Sequence, residues 1–244
     1  MVEILFVHGA LVRDGAWWWK GVADLVEARV GVRSRAVALP SCGEGHAGGG
    51  AGTAGLAEDA AALRDALDGV DDADGAVVVG HSYGGTVIAE GADHPAARSL
   101  VLISSYLPEP GLAQAQIMGG EADPVRIEPG ETGTVRVAGY GPEEFGDRFW
   151  QDVTDEALRE GAWQRLAAQS AAAFGTPTTR AAWRGRDSTF LVCTGDRSTS
   201  VELQRRHAAR ATRSFDLPTG HHPMLSRPDL VADRVIGAIE AVPR

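Results

Sequence analysis

Cysteine is scarce in this chain. Cys42 and Cys193 are the only two among 244 residues, which allows one bridge at most and excludes a disulfide framework. Long apolar runs are absent as well. None approaches the roughly 20 residues of a membrane span, so no membrane partner is expected. The N-terminus, M-V-E-I-L-F-V-H-G, lacks the basic region of a secretory signal and reads as a strand. The expected compartment is therefore the cytoplasm. Basic runs are also missing. Thirty-three acids face 23 bases, a formal charge of -10, which argues against nucleic-acid or anionic-membrane partners. No internal repeat is visible. The seven histidines show no H-x-E-x-H-like spacing and the cysteines no C-x-x-C, so no metal is expected.

What is present is an ordinary globular composition, 44% hydrophobic and 23% charged. Its length suits one domain spanning 1–244. Short apolar runs at 4–7, 32–39, 76–79, 99–103, 189–193 and 211–217 read as buried strands. Helical patterns lie between them. Leu56, Ala60, Leu63 and Leu67 form one stripe, and Val231, Val235, Ala238 and Ile239 another. Ser226 and Asp229 read as the start signal of that last helix, with Pro228 in its first turn. The alternation predicts a doubly wound, mostly parallel α/β sheet of about six strands. Residues 107–185 break the rhythm. They are turn-rich and then helical over 155–174, and are expected to be an inserted helical cap. The Gly-rich segment 43–55 is expected to be a flexible surface loop. Its G-A-G-T-A-G (50–55) formally fits a dinucleotide fingerprint. About ten residues separate it from the preceding strand, where the fingerprint requires direct succession.

The stretch A-V-V-V-G-H-S-Y-G-G-T-V-I-A-E carries G-x-S-x-G at Gly80–Gly84. The pattern alone is common, but here an apolar strand runs into it and a small-residue helix runs out. That strand–turn–helix context presents a serine hydroxyl at the carboxyl edge of a sheet, so Ser82 is the candidate nucleophile. Acyl transfer at such a serine needs two amide donors for the developing oxyanion. Tyr83 follows the nucleophile, and Ala10 ends the turn F-V-H-G-A after the first strand. His8 is read as holding that turn and His81 as orienting the elbow. T-F-L-V-C-T-G-D-R places Asp196 just after a late strand, and F-D-L-P-T-G-H-H-P-M places His221 or His222 after the next. The order Ser, Asp, His fits a triad in which the acid orients the base. The expected sheet order sets Ser82 between acid and base, at the carboxyl edge where open α/β sheets place their sites.

These residues resemble the α/β-hydrolase superfamily. More closely, the chain is similar to the compact bacterial esterases related to plant methyl-ester esterases and hydroxynitrile lyases. The likeness covers nearly the whole chain. It rests on H-G-A…A-W-W-W (8–19), G-H-S-Y-G-G (80–85), S-Y-L-P-E-P-G (105–111), C-T-G-D-R (193–197) and G-H-H-P-M-L-S-R-P (220–228). The family's G-H-x-P pattern at the base implies His221, leaving His222 as a neighbour on the pocket rim. Relatives commonly carry an aspartate where this chain has Ser104, so Asp196 has no rival as the acid. The segment Leu11–Asp14 is longer than in relatives and is expected to reshape the pocket beside the oxyanion donors. Hydroxynitrile lyases of the group use a lysine after the base and a threonine in the first loop. Here those places hold His222 and Gly9, which disfavours that chemistry.

The resemblance implies a cofactor-independent serine hydrolase acting on a small or medium hydrophobic carboxylic ester or lactone. The alternatives are a lyase or acyl transferase on the same scaffold, or a non-catalytic small-molecule-binding protein. Cap aromatics form the expected specificity surface: Tyr140, Phe145, Phe149, Trp150, Trp163 and Phe174. Leu11, Phe149, Trp150 and His222 are the leading pocket candidates. Trp17, Trp18 and Trp19 are expected to pack the first helix on the sheet. The oligomeric state is left open, a homodimer included.

Overall fold

The computed structural model describes residues 2–45, 51–71 and 74–242. In chain order the first half runs β1 (Glu3–Val7), α1 (Gly15–Val30), β2 (Ser34–Ala36), α2 (Leu56–Asp68), β3 (Ala76–His81), α3 (Gly84–Gly91) and β4 (Ala97–Ile103). An insertion follows: α4 (Gln114–Met118), β5 (Ile127–Pro129), β6 (Thr134–Val137), α5 (Pro142–Phe149), α6 (Glu156–Trp163), β7 (Gln169–Ser170) and α7 (Ala171–Gly175). The chain then returns through β8 (Asp187–Cys193), α8 (Val201–Ala208), β9 (Arg213–Leu217), α9 (Pro223–Ser226) and α10 (Pro228–Glu240).

Six strands form one parallel sheet in the order β2-β1-β3-β4-β8-β9. Strand side chains alternate between the two faces. Leu5, Val7 and Val78 join one core cluster, with Leu56, Leu63 and Leu67 of α2. Ile4, Phe6, Val77 and Val79 join the other, with Val22 and Val26 of α1 and Val231 and Val235 of α10. Both faces are covered over β1, β3, β4 and β8, which is why those strands read as apolar runs. The edge strands β2 and β9, expected to be buried, are partly exposed and carry polar residues.

Several boundaries move. The strand expected at 32–39 shrinks to Ser34–Ala36, because the chain bends away after Val37 donates to the Phe6 carbonyl (2.8 Å). α10 is not started by Ser226. Its N-cap is Arg227, which pairs with Asp229 (2.6 Å), while Ser226 ends α9 and donates to Asp152 (2.8 Å). Pro228 does occupy the first turn. Within 43–55, residues 46–50 lie outside the described residues, and so does the first glycine of the fingerprint match. Gly43 and Gly45 are exposed, but Ala54 and Gly55 are buried, and Gly55 caps α2. That end of the segment is therefore packed structure rather than a free surface loop.

The insertion is not purely helical. β5, β6 and β7 make an antiparallel sheet of their own. The helix expected over 155–174 is two short helices separated by β7. Asp155 caps the first by accepting from the Ala157 and Leu158 amides. The long first loop docks on this insertion. Arg13 N–H donates to the Arg165 carbonyl (3.0 Å) and Ala167 N–H to that of Leu11 (2.8 Å). Arg165 also pairs with Asp14 (2.9 Å) and lies 4.2 Å over Trp17. Trp18 and Trp19 are buried, and Trp19 stacks on Phe6 at 4.5 Å. Trp19 thus packs α1 on the sheet, whereas Trp18 meets Trp150 of the insertion and His222, and Trp17 meets Arg165 of the insertion.

Candidate active site

β3 ends at His81, and Ser82 follows with φ 49. A β-carbon is disfavoured in that left-handed region, so the turn is held by its surroundings. Gly84 permits it, since a β-carbon there would stand 2.5 Å from the Val7 carbonyl oxygen. Ser82 N–H donates to the Ile103 carbonyl (3.2 Å), and Ser105 Oγ donates to the Ser82 carbonyl (2.6 Å). The serine stands at the N-terminus of α3, where amide dipoles favour negative charge. Among the described residues, neither the Tyr83 nor the Ala10 amide donates to a protein acceptor. Both residues line the same cavity as Ser82.

Asp196 lies in the loop after β8 and its carboxylate is saturated. Oδ2 accepts from His221 Nδ1 (2.7 Å), from Gln204 Nε2 (3.1 Å) and, in a very short bond, from Ser104 Oγ. Oδ1 accepts from the Ser198 and Thr199 amides (2.7 and 2.9 Å). Burial alone would raise its pKa. The His221 charge and these hydrogen bonds outweigh burial and hold the carboxyl below its usual value. The carboxylate therefore meets His221 and not His222. Ser82 and His221 face the same cavity, with no direct hydrogen bond between them among the described residues.

Ser82 is not between acid and base in sheet order. β3 lies on the far side of β4 from β8 and β9. The acid and base loops must reach back over the end of β4, and Ser104 stands at that end. Its hydroxyl lies 3.1 Å from His221 Nδ1 as well as against Asp196, and its φ is 41. Sequence reasoning noted Ser104 as a departure from relatives but missed its contact. It also missed Gln204, fully buried on α8, which accepts from Cys193 N–H (2.8 Å) and donates to the Thr199 carbonyl (2.9 Å).

Three further histidines, His8, His81 and His222, are committed to hydrogen bonds. His8 bonds Glu44 (2.8 Å), whose carboxylate accepts from the Asp14 and Leu39 amides. His81 Nε2 donates to the His221 carbonyl (2.8 Å). His222 Nδ1 donates to the Phe149 carbonyl (2.9 Å). Burial, and then the charge of His221, pushes His222 down to about 3, and burial depresses His81. His81, His221 and His222 together bring one ring nitrogen each within 4.8 Å of one another. They are the described residues able to offer a metal three ligands, a grouping that sequence spacing did not reveal. Gly9 makes this crowding possible: a β-carbon there would lie 3.0 Å from His81 Nδ1 and 3.2 Å from Ser82 Cβ. A threonine would not fit without displacing one of them.

The cavity measures about 350 Å³. Its wall is largely apolar: Leu11, Val12 and Leu166 on one side, Met118, Val125, Ile127 and Val137 on another. Phe145, Phe149, Trp150 and Phe174 line it, whereas Tyr140 and Trp163 do not. His222 lines it too, wedged beside Trp18 at 5.1 Å. No helix among the described residues is long and apolar enough to cross a membrane.

A family model described as "Alpha/beta hydrolase family" matches residues 4–234. The alpha/beta hydrolase nvfD of Aspergillus novofumigatus (strain IBT 16806) is 29% identical over 195 residues, covering 74% of this chain and 77% of that one. Among solved structures, a pyrethroid hydrolase from Sphingobium faniae JZ-2 superposes with a TM-score of 0.81 at 23% identity, over 98% of both chains. Polyneuridine aldehyde esterase gives 0.76 at 18% identity, over 97% of this chain and 99% of that one. Tomato methylketone synthase I complexed with 2-tridecanone gives 0.77 at 16%, over the whole of both chains.

Proposed function

The chain belongs to the alpha/beta hydrolase family, and on that premise we propose that it is a serine hydrolase cleaving a small or medium hydrophobic carboxylic ester or lactone. Ser82 Oγ attacks the carbonyl carbon as His221 takes its proton. The Ala10 and Tyr83 amides receive the oxyanion. His221 then protonates the departing alcohol, leaving an acyl ester on Ser82. A water activated by the same imidazole releases the acid. Asp196 fixes the ring through Nδ1 and stabilises its charged form.

The observation that carries this reading is the 2.7 Å bond between buried Asp196 and His221 at the wall of a cavity that also exposes Ser82. Three carboxyl-edge loops supply the three groups, and two amides beside the serine have no other acceptor among the described residues. The apolar wall supports an uncharged, hydrophobic substrate: among the described residues no Asp, Glu, Lys or Arg lines it. Two neighbours named as a hydrolase and an esterase support ester chemistry by analogy.

The test is intact mass after treatment with a fluorophosphonate, beside Ser82→Ala and His221→Ala. One adduct is expected on wild type, none on Ser82→Ala, and slow labelling of His221→Ala. Folded wild type that takes no adduct would overturn the reading.

A further inference from the structure

Gln169 stands on β7 of the insertion and is fully buried. Both ends of its carboxamide are used. Oε1 accepts from Leu11 N–H (2.8 Å), across 158 residues of sequence, and Nε2 donates to Ser41 Oγ (2.9 Å). Ser41 Oγ donates to Asp59 Oδ2 (2.6 Å) and Ser41 N–H to Oδ1 (2.9 Å). Tyr83 Oη also donates to Asp59 Oδ2 (2.8 Å). Gln169, Ser41, Asp59 and Tyr83 are all at 0% exposure. The direction of the bonds at Gln169 is forced. A backbone N–H can only donate, so Oε1 faces Leu11 and Nε2 must donate to Ser41. The serine proton then goes to the carboxylate.

This chain of bonds begins at the residue after Ala10 and ends at the ring of Tyr83. Ala10 and Tyr83 carry the amides assigned to the oxyanion, and among the described residues neither amide is held by an acceptor of its own. Leu11 meanwhile has φ 60, a conformation disfavoured for leucine. The insertion grips the two peptides flanking Leu11, through Gln169 at its N–H and Ala167 at its carbonyl. Oxyanion donors stabilise charge only when held in place before the reaction.

We propose that Gln169 is a positioning residue for oxyanion stabilisation. It ties the Ala10–Leu11 peptide to the buried Ser41–Asp59–Tyr83 relay, so that both donors are set against Ser82 by one network. The donor geometry is then complete only when the insertion is docked. Contacts that a substrate makes with the insertion's apolar wall thereby reach the reacting carbonyl. This inference rests on the serine-hydrolase reading above.

The test compares wild type, Gln169→Leu, Gln169→Glu and Ser41→Ala. Turnover is read on p-nitrophenyl butyrate, and inhibition with an alkyl trifluoromethyl ketone, which forms a tetrahedral oxyanion on an active serine. Gln169→Leu should lose tenfold to a hundredfold in kcat with KM changed less than threefold. Trifluoromethyl-ketone affinity should weaken by a similar factor. Gln169→Glu keeps the acceptor for Leu11 but cannot donate to Ser41, and Ser41→Ala cuts the relay alone. Both should fall between wild type and Gln169→Leu, and they carry the test if Gln169→Leu does not fold. A kcat unchanged in all three, or a lower kcat with undiminished ketone affinity, overturns the proposal. Wild type unlabelled by fluorophosphonate is a different failure: it removes the serine-hydrolase premise, and this inference with it.

Discussion

His222 should make the protein lose stability in acid by an amount that one substitution isolates. The ring is buried, and its pKa falls from 6.5 to about 3, first through burial and then through the charge of His221. The folded value lies below the unfolded one. Between the two, the unfolded chain binds the extra proton, so stability is fully present above about pH 6.5 and is lost as pH falls toward 3. The slope is about 1.4 kcal/mol per pH unit, which makes the loss at pH 4 about 3 kcal/mol. His222→Phe removes this titration and places a ring of similar size beside Trp18, Phe149 and Trp150. It also strands the Phe149 carbonyl, at a cost of about 1–3 kcal/mol at every pH. Wild type should therefore be the more stable protein at pH 7.5, and the gap should close or reverse by pH 4. His81 titrates in both proteins and largely cancels in the difference. Urea unfolding of the two proteins at both pH values measures the gap, with equal m-values required for the comparison. A gap that does not change with pH would refute the argument, because it would mean that His222 binds its proton alike in the folded and unfolded states.

Three further outcomes follow from the same geometry. Asp196→Asn should preserve the fold while lowering turnover about 10³- to 10⁴-fold, since the amide no longer fixes the His221 tautomer; steady-state kinetics on the probe ester reads this. Gly84→Ala should destabilise by more than about 2 kcal/mol, because the added methyl meets the Val7 carbonyl at 2.5 Å, a backbone atom that cannot swing away. Thermal melting would show it, and an unchanged midpoint would contradict the close approach drawn at the elbow. Cys42 and Cys193 are both buried, and burial raises both thiol pKa values. A thiol reagent should titrate neither in the native protein and both after denaturation.

How far the site was legible in the sequence depended on how local its causes are. The elbow announced itself because strand, tight turn and helix are contiguous, and the turn's steric demands fall on Gly80, Gly84 and their neighbours. Asp196 and His221 were legible for a related reason: each lies in the loop just after a strand, buried and apolar in β8, and half-exposed with polar residues alternating in β9. The order of those strands in the sheet is a different kind of fact. Nothing near Ser82 in sequence records that β4 separates it from β8, and so Ser104 could be noticed as a substitution but not as the hydroxyl bridging acid and base. The antiparallel β5–β6–β7 sheet left little trace for a related reason, since strands of two to four residues are too short to show an alternation. Gln169 is the extreme case. Its neighbours A-A-Q-S-A-A would suit a helix, and among the described residues its carboxamide bonds a loop amide and a serine, 158 and 128 residues away. A buried glutamine that satisfies both ends of its carboxamide is intelligible only after the fold has brought those groups together. Candidate groups on sheet edges leave local signals; the groups that hold them, Ser104 at the end of β4 and Gln204 on α8 among them, are defined by long-range contacts.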